Sequence, residues 1–268
     1  MTYDWITFTT DYGLADGFPA ICEGVIARIA PAVRVVHVTH QVPAQDVRRG
    51  ADLLAQAVPY LPSSVHLAVV DPGVGTRRRA VAVAALGGVL VGPDNGLLVP
   101  AAAALGGVVG AVELTEVRLE PVSPTFHGRD VFAPAAAHLA LGRPMGELGP
   151  EVDPATLIRL PAPVTSAVPG RVTTEVLGAD GFGNIQLAAT ADDLTAAGTT
   201  PGRAVHVEIG GRSLQARMGR TFADAAPGSA VVLVDSAARV AVAINGGSAQ
   251  SIFATHPGDT AVLLVERH

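Results

Sequence analysis

The stretch Val69-Val70-Asp71-Pro72-Gly73-Val74-Gly75-Thr76-Arg77-Arg78-Arg79 decides how the chain is read. An apolar strand, 66–70, runs into a carboxylate at its carboxyl end, then a Pro/Gly turn, then three guanidinium groups. In an open α/β sheet ligands bind in the crevice beyond the carboxyl ends of the strands, so Asp71 stands where chemistry is done. Taken by itself the segment is also an ordinary β-turn, with Pro and Gly in their favoured places.

Upstream, 5–10 is rich in β-branched and aromatic residues and ends at Asp11-Tyr12-Gly13, so Asp11 closes a strand as well. Ile21, Val25, Ile26 and Ile29 have helical spacing and Pro31 stops them; 33–38 is a second strand, and 46–58 a second helix closed by Pro59. Strands alternating with helices imply βαβ units and predict a mostly parallel sheet. Downstream, 80–91 is broken at Gly87-Gly88 and predicts a hairpin or bent strand pair, leading into Gly92-Pro93-Asp94-Asn95-Gly96 with its Asn-Gly turn signal. A short helix at 98–104, a strand at 107–114 and a helix at 131–141 complete an α/β domain assigned to residues 1–163. Pro161, Pro163 and Pro169 mark a linker. Beyond it, 170–177, 204–209, 213–218, 229–234, 240–244 and 260–265 read as short strands between Gly/Asp/Asn turns, predicting a small all-β, barrel-like domain over 170–268.

Composition narrows the chemistry. The 268 residues are 49% apolar, ample for packed cores. With 16% charged residues and a net charge of −6 there is no basic field to bind nucleic acid phosphates. All 18 basic residues are Arg, which excludes a P-loop lysine and Schiff-base catalysis. The single cysteine, Cys22, excludes an intramolecular disulfide and a Cys-rich zinc site, and reads as a small buried hydrophobe. Residues 1–10 have no basic n-region, and apolar runs are interrupted by Gly or Pro well short of the ~20 residues a spanning helix needs, so no membrane partner and a cytoplasmic location are expected. His37, His40 and His66 show no paired ligand spacing, so no metal is expected.

Asp11, Asp71, Arg78 and His127 each stand at a segment end, in separate loops that a sheet would gather on one edge. His127 reads either as a capping or core-satisfied histidine or as part of a site. Arg78 reads either as one of three solvated charges or as a functional cation. In the second domain, residues 178–184 and 245–248 are glycine-rich loops with polar side chains: two hairpin turns, or places where a ligand meets the backbone closely.

Taken together these segments resemble the S-adenosylmethionine hydroxide adenosyltransferases, the adenosine-forming S-adenosylmethionine hydrolases, relatives of the fluorinating and chlorinating enzymes. The resemblance runs in order through Ile6-Thr7-Phe8-Thr9-Thr10-Asp11-Tyr12-Gly13, Val38-Thr39-His40, Asp46-Val47-Arg48-Arg49-Gly50-Ala51 and Val70-Asp71-Pro72-Gly73-Val74-Gly75. It continues through Gly92-Pro93-Asp94-Asn95-Gly96, Thr125-Phe126-His127-Gly128-Arg129-Asp130, Phe182-Gly183-Asn184 and Asn245-Gly246-Gly247-Ser248-Ala249. It implies an α/β domain beside a β-barrel, and a homotrimer with each active site between one subunit's first domain and a neighbour's second. It implies that Asp71, Arg78 and His127 position and activate a water or hydroxide, and that Asp11 accepts the ribose 2′ and 3′ hydroxyls. In the second domain it implies that Asp180 lies near the methionine amino group, that Ser236 touches methionine, and that Asn184 and the Gly246 backbone touch adenine. Phe182 and Asn245 belong to the same motifs, and Phe222 is a candidate for stacking on adenine. S-adenosyl-L-methionine is then the substrate and no cofactor is implied.

The resemblance also implies that the halogenating relatives carry Tyr in place of His127 and lack the pair matching Asp71 and Arg78, which favours water over halide here. Two neighbours depart from the family pattern, Gln186-Leu187-Ala188 after Asn184 and His37 where Asp is usual. The alternatives are an S-adenosylmethionine-dependent halogenase and a non-catalytic protein that binds an adenosine ligand.

Overall fold

Strand β1 (Trp5–Thr10) is buried along all but its first residue, as a strand covered on both faces must be. In the computed structural model, which describes residues 1–265, it lies inside a six-stranded sheet ordered β2-β1-β3-β5-β4-β6. The other strands are β2 (Arg34–Thr39), β3 (Val65–Val69), β4 (Ala80–Ala85), β5 (Gly88–Pro93) and β6 (Val108–Glu113). Side-chain alternation splits the core in two. On one face Ile6, Phe8, Leu67 and Val69 meet helices α1 (Phe18–Ile29) and α4 (Ala133–Ala140). On the other, Ala68 and Val70 meet α2 (Val47–Ala57) and α3 (Val99–Ala104). Helix α2 starts where Asp46 accepts the Arg49 N–H at 2.9 Å, the expected N-cap chemistry.

The expectation of a mostly parallel sheet is corrected: the sheet is mixed. β1 pairs in parallel with β2 and β3, and β3 with β5, whereas β4 runs antiparallel to both β5 and β6. The reason is local, because β4 and β5 are joined by two residues, and so short a link can close only an antiparallel pair. The parallel half carries the candidate site. From β1 the chain passes to β2 on one side and then to β3 on the other, which makes the gap between β1 and β3 the topological switch point. Thr10 lies opposite Val69 in that pairing, so the segments leaving β1 and β3 emerge side by side.

The chain divides into two compact units, Met1–Leu160 and Pro161–His268. In the second, β7 (Thr165–Val168), β8 (Arg171–Ala179), β9 (Ile185–Leu187), β10 (Ala204–Ile209), β11 (Arg212–Met218), β12 (Ala230–Val234), β13 (Val240–Ile244) and β14 (Thr260–Val265) form one sheet. β14 pairs with both β10 and β8, so seven strands close into a barrel and β7 lies outside it on β8. β7 occupies part of the stretch expected to be linker. Its pairing to residues 171–174 decides this, since each strand residue gains a ladder partner that local composition does not reveal. Short helices α5 (Ala191–Ala196) and α6 (Ala249–Phe253) complete the unit. The barrel core holds Val176, Ile185, Leu187, Val207, Val232, Val242 and Leu263. No helix among the described residues is long and apolar enough to cross a membrane.

Candidate functional site

Asp71 leaves the carboxyl end of β3 and meets Arg78 in a two-pronged ion pair. Arg78 Nε donates to Asp71 Oδ1 at 3.0 Å and Nη2 donates to Oδ2. Both side chains are nearly sealed, at 8% and 6% exposure. Arg78 Nη2 also donates to His127 Nδ1 at 3.2 Å, while the guanidinium lies 5.3 Å from the Phe132 ring centre. The three residues named from the sequence for one water are therefore one hydrogen-bonded unit. Because arginine is only a donor, Nδ1 of a neutral His127 accepts and its proton sits on Nε2. Burial and the Arg78 charge both hold the imidazole below the usual histidine range.

The three consecutive arginines separate cleanly. Arg77 is exposed. Arg79 is structural: Nε and Nη2 donate to Asp94 Oδ2 at 2.9 and 2.6 Å, and Nη2 reaches Thr156 O at 2.8 Å. Asp94 in turn accepts the Ile158 N–H at 2.9 Å, so Arg79 and Asp94 pin the end of this unit to the β5 turn.

Two glycines allow the loops to meet. Gly75 has φ +76°, and a Cβ there would come 2.4 Å from Pro124 O, in the segment leading to His127. Gly128 packs under Tyr12, where a Cβ would meet Oη at 2.1 Å. The Tyr12, Phe18 and Phe126 rings pack edge to face with centres 5.1–5.9 Å apart, and burial drives the Tyr12 phenol far above its ordinary pKa. After His127 the chain makes one wide turn, Gly128–Phe132, before α4 begins. Such turns recur where a helix is adjusted to place a functional group. Buried Asp130 braces it: the penalty of burial is outweighed by hydrogen bonds from Arg129 and the Ser123 N–H, and its carboxyl stays below the usual range.

Asp11 leaves β1 beside this triad. Its Oδ2 accepts the Gln45 N–H at 2.8 Å, and Gln45 takes a left-handed φ of 65° to deliver it. Sequence reasoning did not single out Asn95, whose Nδ2 donates to Val70 O at 2.8 Å while Oδ1 accepts the Leu97 N–H at 3.2 Å. It holds the last residue before Asp71. Its Asn-Gly pair reads as a turn and its segment belongs to the motifs of the family resemblance, neither of which assigns it a role. His37 and His40, which show no paired ligand spacing in the sequence, have their rings bonded at 2.7 Å.

In the barrel unit the predicted residues are partly gathered. Asp180 accepts the N–H groups of Phe182 and Asn184 at 2.9 and 3.0 Å and the Asn184 side chain at 2.8 Å, so the carboxylate organises its own loop. That loop touches the next: a Cβ on Gly183 would meet Ser248 Oγ at 2.1 Å, and Gln250 N–H donates to Gly183 O at 2.9 Å. Asn245 Nδ2 donates to Ala225 O at 2.8 Å, tying in the turn that carries Phe222. Phe182 and Phe222 are exposed, at 83% and 48%, and Gly246 has open space at its Cα with φ +75°. Ser236 stands apart, exposed in the β12–β13 turn at the far end of β13 from Asn245. Among the described residues no group of three His, Cys, Asp or Glu side chains is arranged to hold a metal.

Comparison with known proteins places the chain in a family. The model of the SAM hydroxide adenosyltransferase N-terminal domain matches residues 6–149 and that of the C-terminal domain matches 174–262. The chain belongs to the SAM hydroxide adenosyltransferase family. It is 59% identical over 257 residues to a protein of Salinispora tropica named (R)-S-adenosyl-L-methionine hydrolase, with 95% of each chain covered. A more distant relative, 29% identical over 90% of each chain, is a fluorinase of an Actinoplanes species. The crystal structure of an uncharacterized conserved protein from Thermotoga maritima superposes with a TM-score of 0.90 at 32% identity, covering 97% of this chain and 99% of that one. This SAM hydroxide adenosyltransferase family member is thus similar in sequence along most of its length to a protein named as a hydrolase and, more distantly, to one named as a fluorinase.

Proposed function

We propose that the chain hydrolyses S-adenosyl-L-methionine at C5′, with water as nucleophile, to adenosine, L-methionine and a proton. The observation that carries this reading is the hydrogen-bonded Asp71–Arg78–His127 unit, with its ion pair nearly sealed, at the β1/β3 switch point. The sulfonium is already a good leaving group, so what the protein must supply is a nucleophile held in line, which is worth several kcal/mol, about 7 or more in favourable cases. Arg78 contributes fixed positive charge, and His127 offers Nε2–H to the attacking oxygen. Asp71 is the only member of the three with lone pairs left to receive the water's proton. No cofactor enters, because the substrate carries its own leaving group.

Asp11 accepts the ribose hydroxyls. The first unit carries the triad. The second supplies the adenine and methionine contacts: Asp180, Phe182, Asn184, Phe222, Ser236, Asn245 and Gly246. Because these fall in different domains, a homotrimer whose sites join one subunit's first domain to a neighbour's second is the assembly that fits the family resemblance. The unpaired cysteine accords with a cytoplasmic location.

The test is chromatography of the products from purified protein, S-adenosyl-L-methionine and chloride. Adenosine is the expected product, and dominance of 5′-chloro-5′-deoxyadenosine would favour the halogenase. His127→Ala and Asp71→Ala should lose turnover and keep ligand affinity; turnover unchanged in both would remove these residues from the mechanism, and a wild-type protein that binds the ligand without turning it over would be a binding protein only.

A further inference from the structure

Away from the triad, a second polar chain runs from the surface to the turn that carries Asp11. Glu23 on α1 lies 3.3 Å from His37 Nε2; His37 Nδ1 lies 2.7 Å from His40 Nε2; and His40 Nδ1 lies 2.9 Å from Thr10 Oγ1. Exposure falls along it, from 46% for the Glu23 side chain and 40% for that of His37 to 5% at His40. The carboxylate at the outer end sets the direction of every bond. It can only accept, so His37 donates from Nε2. A neutral His37 then accepts at Nδ1, His40 donates from Nε2 and accepts at Nδ1, and the Thr10 hydroxyl donates outward to His40 Nδ1. Burial and the neighbouring His37 push His40 down to about 4, which keeps it in the neutral form this pattern requires.

The inner end grips the backbone. Thr10 Oγ1 accepts the Tyr12 N–H at 3.2 Å, and the His40 carbonyl accepts the Gly13 N–H at 2.7 Å. The Phe8 ring packs edge-on against His40, with centres 4.8 Å apart. Residues 10–13 are therefore clamped by His40 through side chain and main chain together, and Asp11 projects from that segment.

We propose that Glu23, His37 and His40 are positioning residues that hold Asp11 in the orientation needed to accept the ribose hydroxyls. The proposal rests on the ribose role given to Asp11 above. It predicts that removing the acceptor at position 37 weakens nucleoside capture without touching the chemical step. His37 is half-exposed, so its replacement leaves the core intact.

In the full chain, His37→Leu should raise KM for S-adenosyl-L-methionine about tenfold with kcat within about twofold, the size expected when a binding group loses its supporting shell. The adenosine Kd measured by calorimetry should rise in parallel. His37→Asp should restore both, because a carboxylate still accepts from His40 Nε2. Adding His37→Leu to Asp11→Asn should change KM no further. An unaltered adenosine Kd in His37→Leu, a fall in kcat matching the rise in KM, failure of His37→Asp to restore, or additivity with Asp11→Asn would each overturn the proposal. Failure of the hydrolase reading shows separately, as a wild-type protein that binds adenosine and forms none from S-adenosyl-L-methionine.

Discussion

Arg78 joins two residues that are far apart in sequence, and its loss should register in both stability and rate. Arg78→Gln leaves the nearly sealed Asp71 carboxylate without its partner, which should cost about 3 kcal/mol in a urea titration; Asp71→Asn added to it should recover part of that loss. His127→Asn should lower kcat by about 10²-fold or more with little change in KM, as for removal of one preorganised donor. In the proposed mechanism His127 works in its neutral form, and its pKa is depressed. Activity should therefore persist as pH falls through about 6.5, the ordinary histidine value, and decline only below it. A kcat–pH profile with its acid limb at or above 6.5 would contradict this. Sequence could not choose among Arg77, Arg78 and Arg79 by chemistry, since three identical side chains differ only in where a turn aims them; the family resemblance pointed to Arg78, and Arg78 is the one that pairs with Asp71. The histidine chain was hidden for a related reason: His37 and His40 become partners only because the chain turns after β2.

Glycines and short links govern the elements. Gly75→Ala places a methyl 2.4 Å from Pro124 O at a left-handed φ, so the 71–78 turn and the His127 loop must separate. The expected outcome is a kcat reduced by more than about tenfold, with a stability loss of about 1–3 kcal/mol read by thermal melting. Gly73→Ala, whose Cβ meets only the Arg78 side chain at 3.4 Å or beyond, is the milder control. Strands β1, β2, β3 and β10 to β14 were legible, because β-branched runs bounded by turn residues stand out even in an Ala/Gly/Val-rich chain. β7 and β9 were not, being four and three residues long and defined by their ladder partners. The sheet's parallelism was over-read from the alternating elements of its first half, although the hairpin at 80–93 already implied an antiparallel portion.

At the scale of the molecule, two inactive proteins offer the decisive test of the proposed shared site. His127→Asn disables the first unit and Asn184→Ala the second. If sites form between subunits, refolding an equimolar mixture should restore measurable adenosine production, whereas each variant refolded alone should not. Sedimentation should give the mass of three 27.2 kDa chains. No gain on mixing would place each site within one chain. The division into an α/β part and a β part was readable from the change in pattern near the Pro-rich stretch. What pattern could not supply is closure of the barrel, because the β14–β8 pairing joins residues about 90 positions apart and no local signal encodes a partner at that distance.

The burial of Cys22 makes the protein its own folding reporter. The thiol has no exposed surface, and burial first of all lifts its pKa to about 12, so at neutral pH a maleimide has neither access nor thiolate to attack. It is wedged in the α1 side of the core that also holds Phe132 and Ala133. With one such group per chain, the alkylation rate in native buffer counts how often this core opens, and a mass shift dates each opening without any added label.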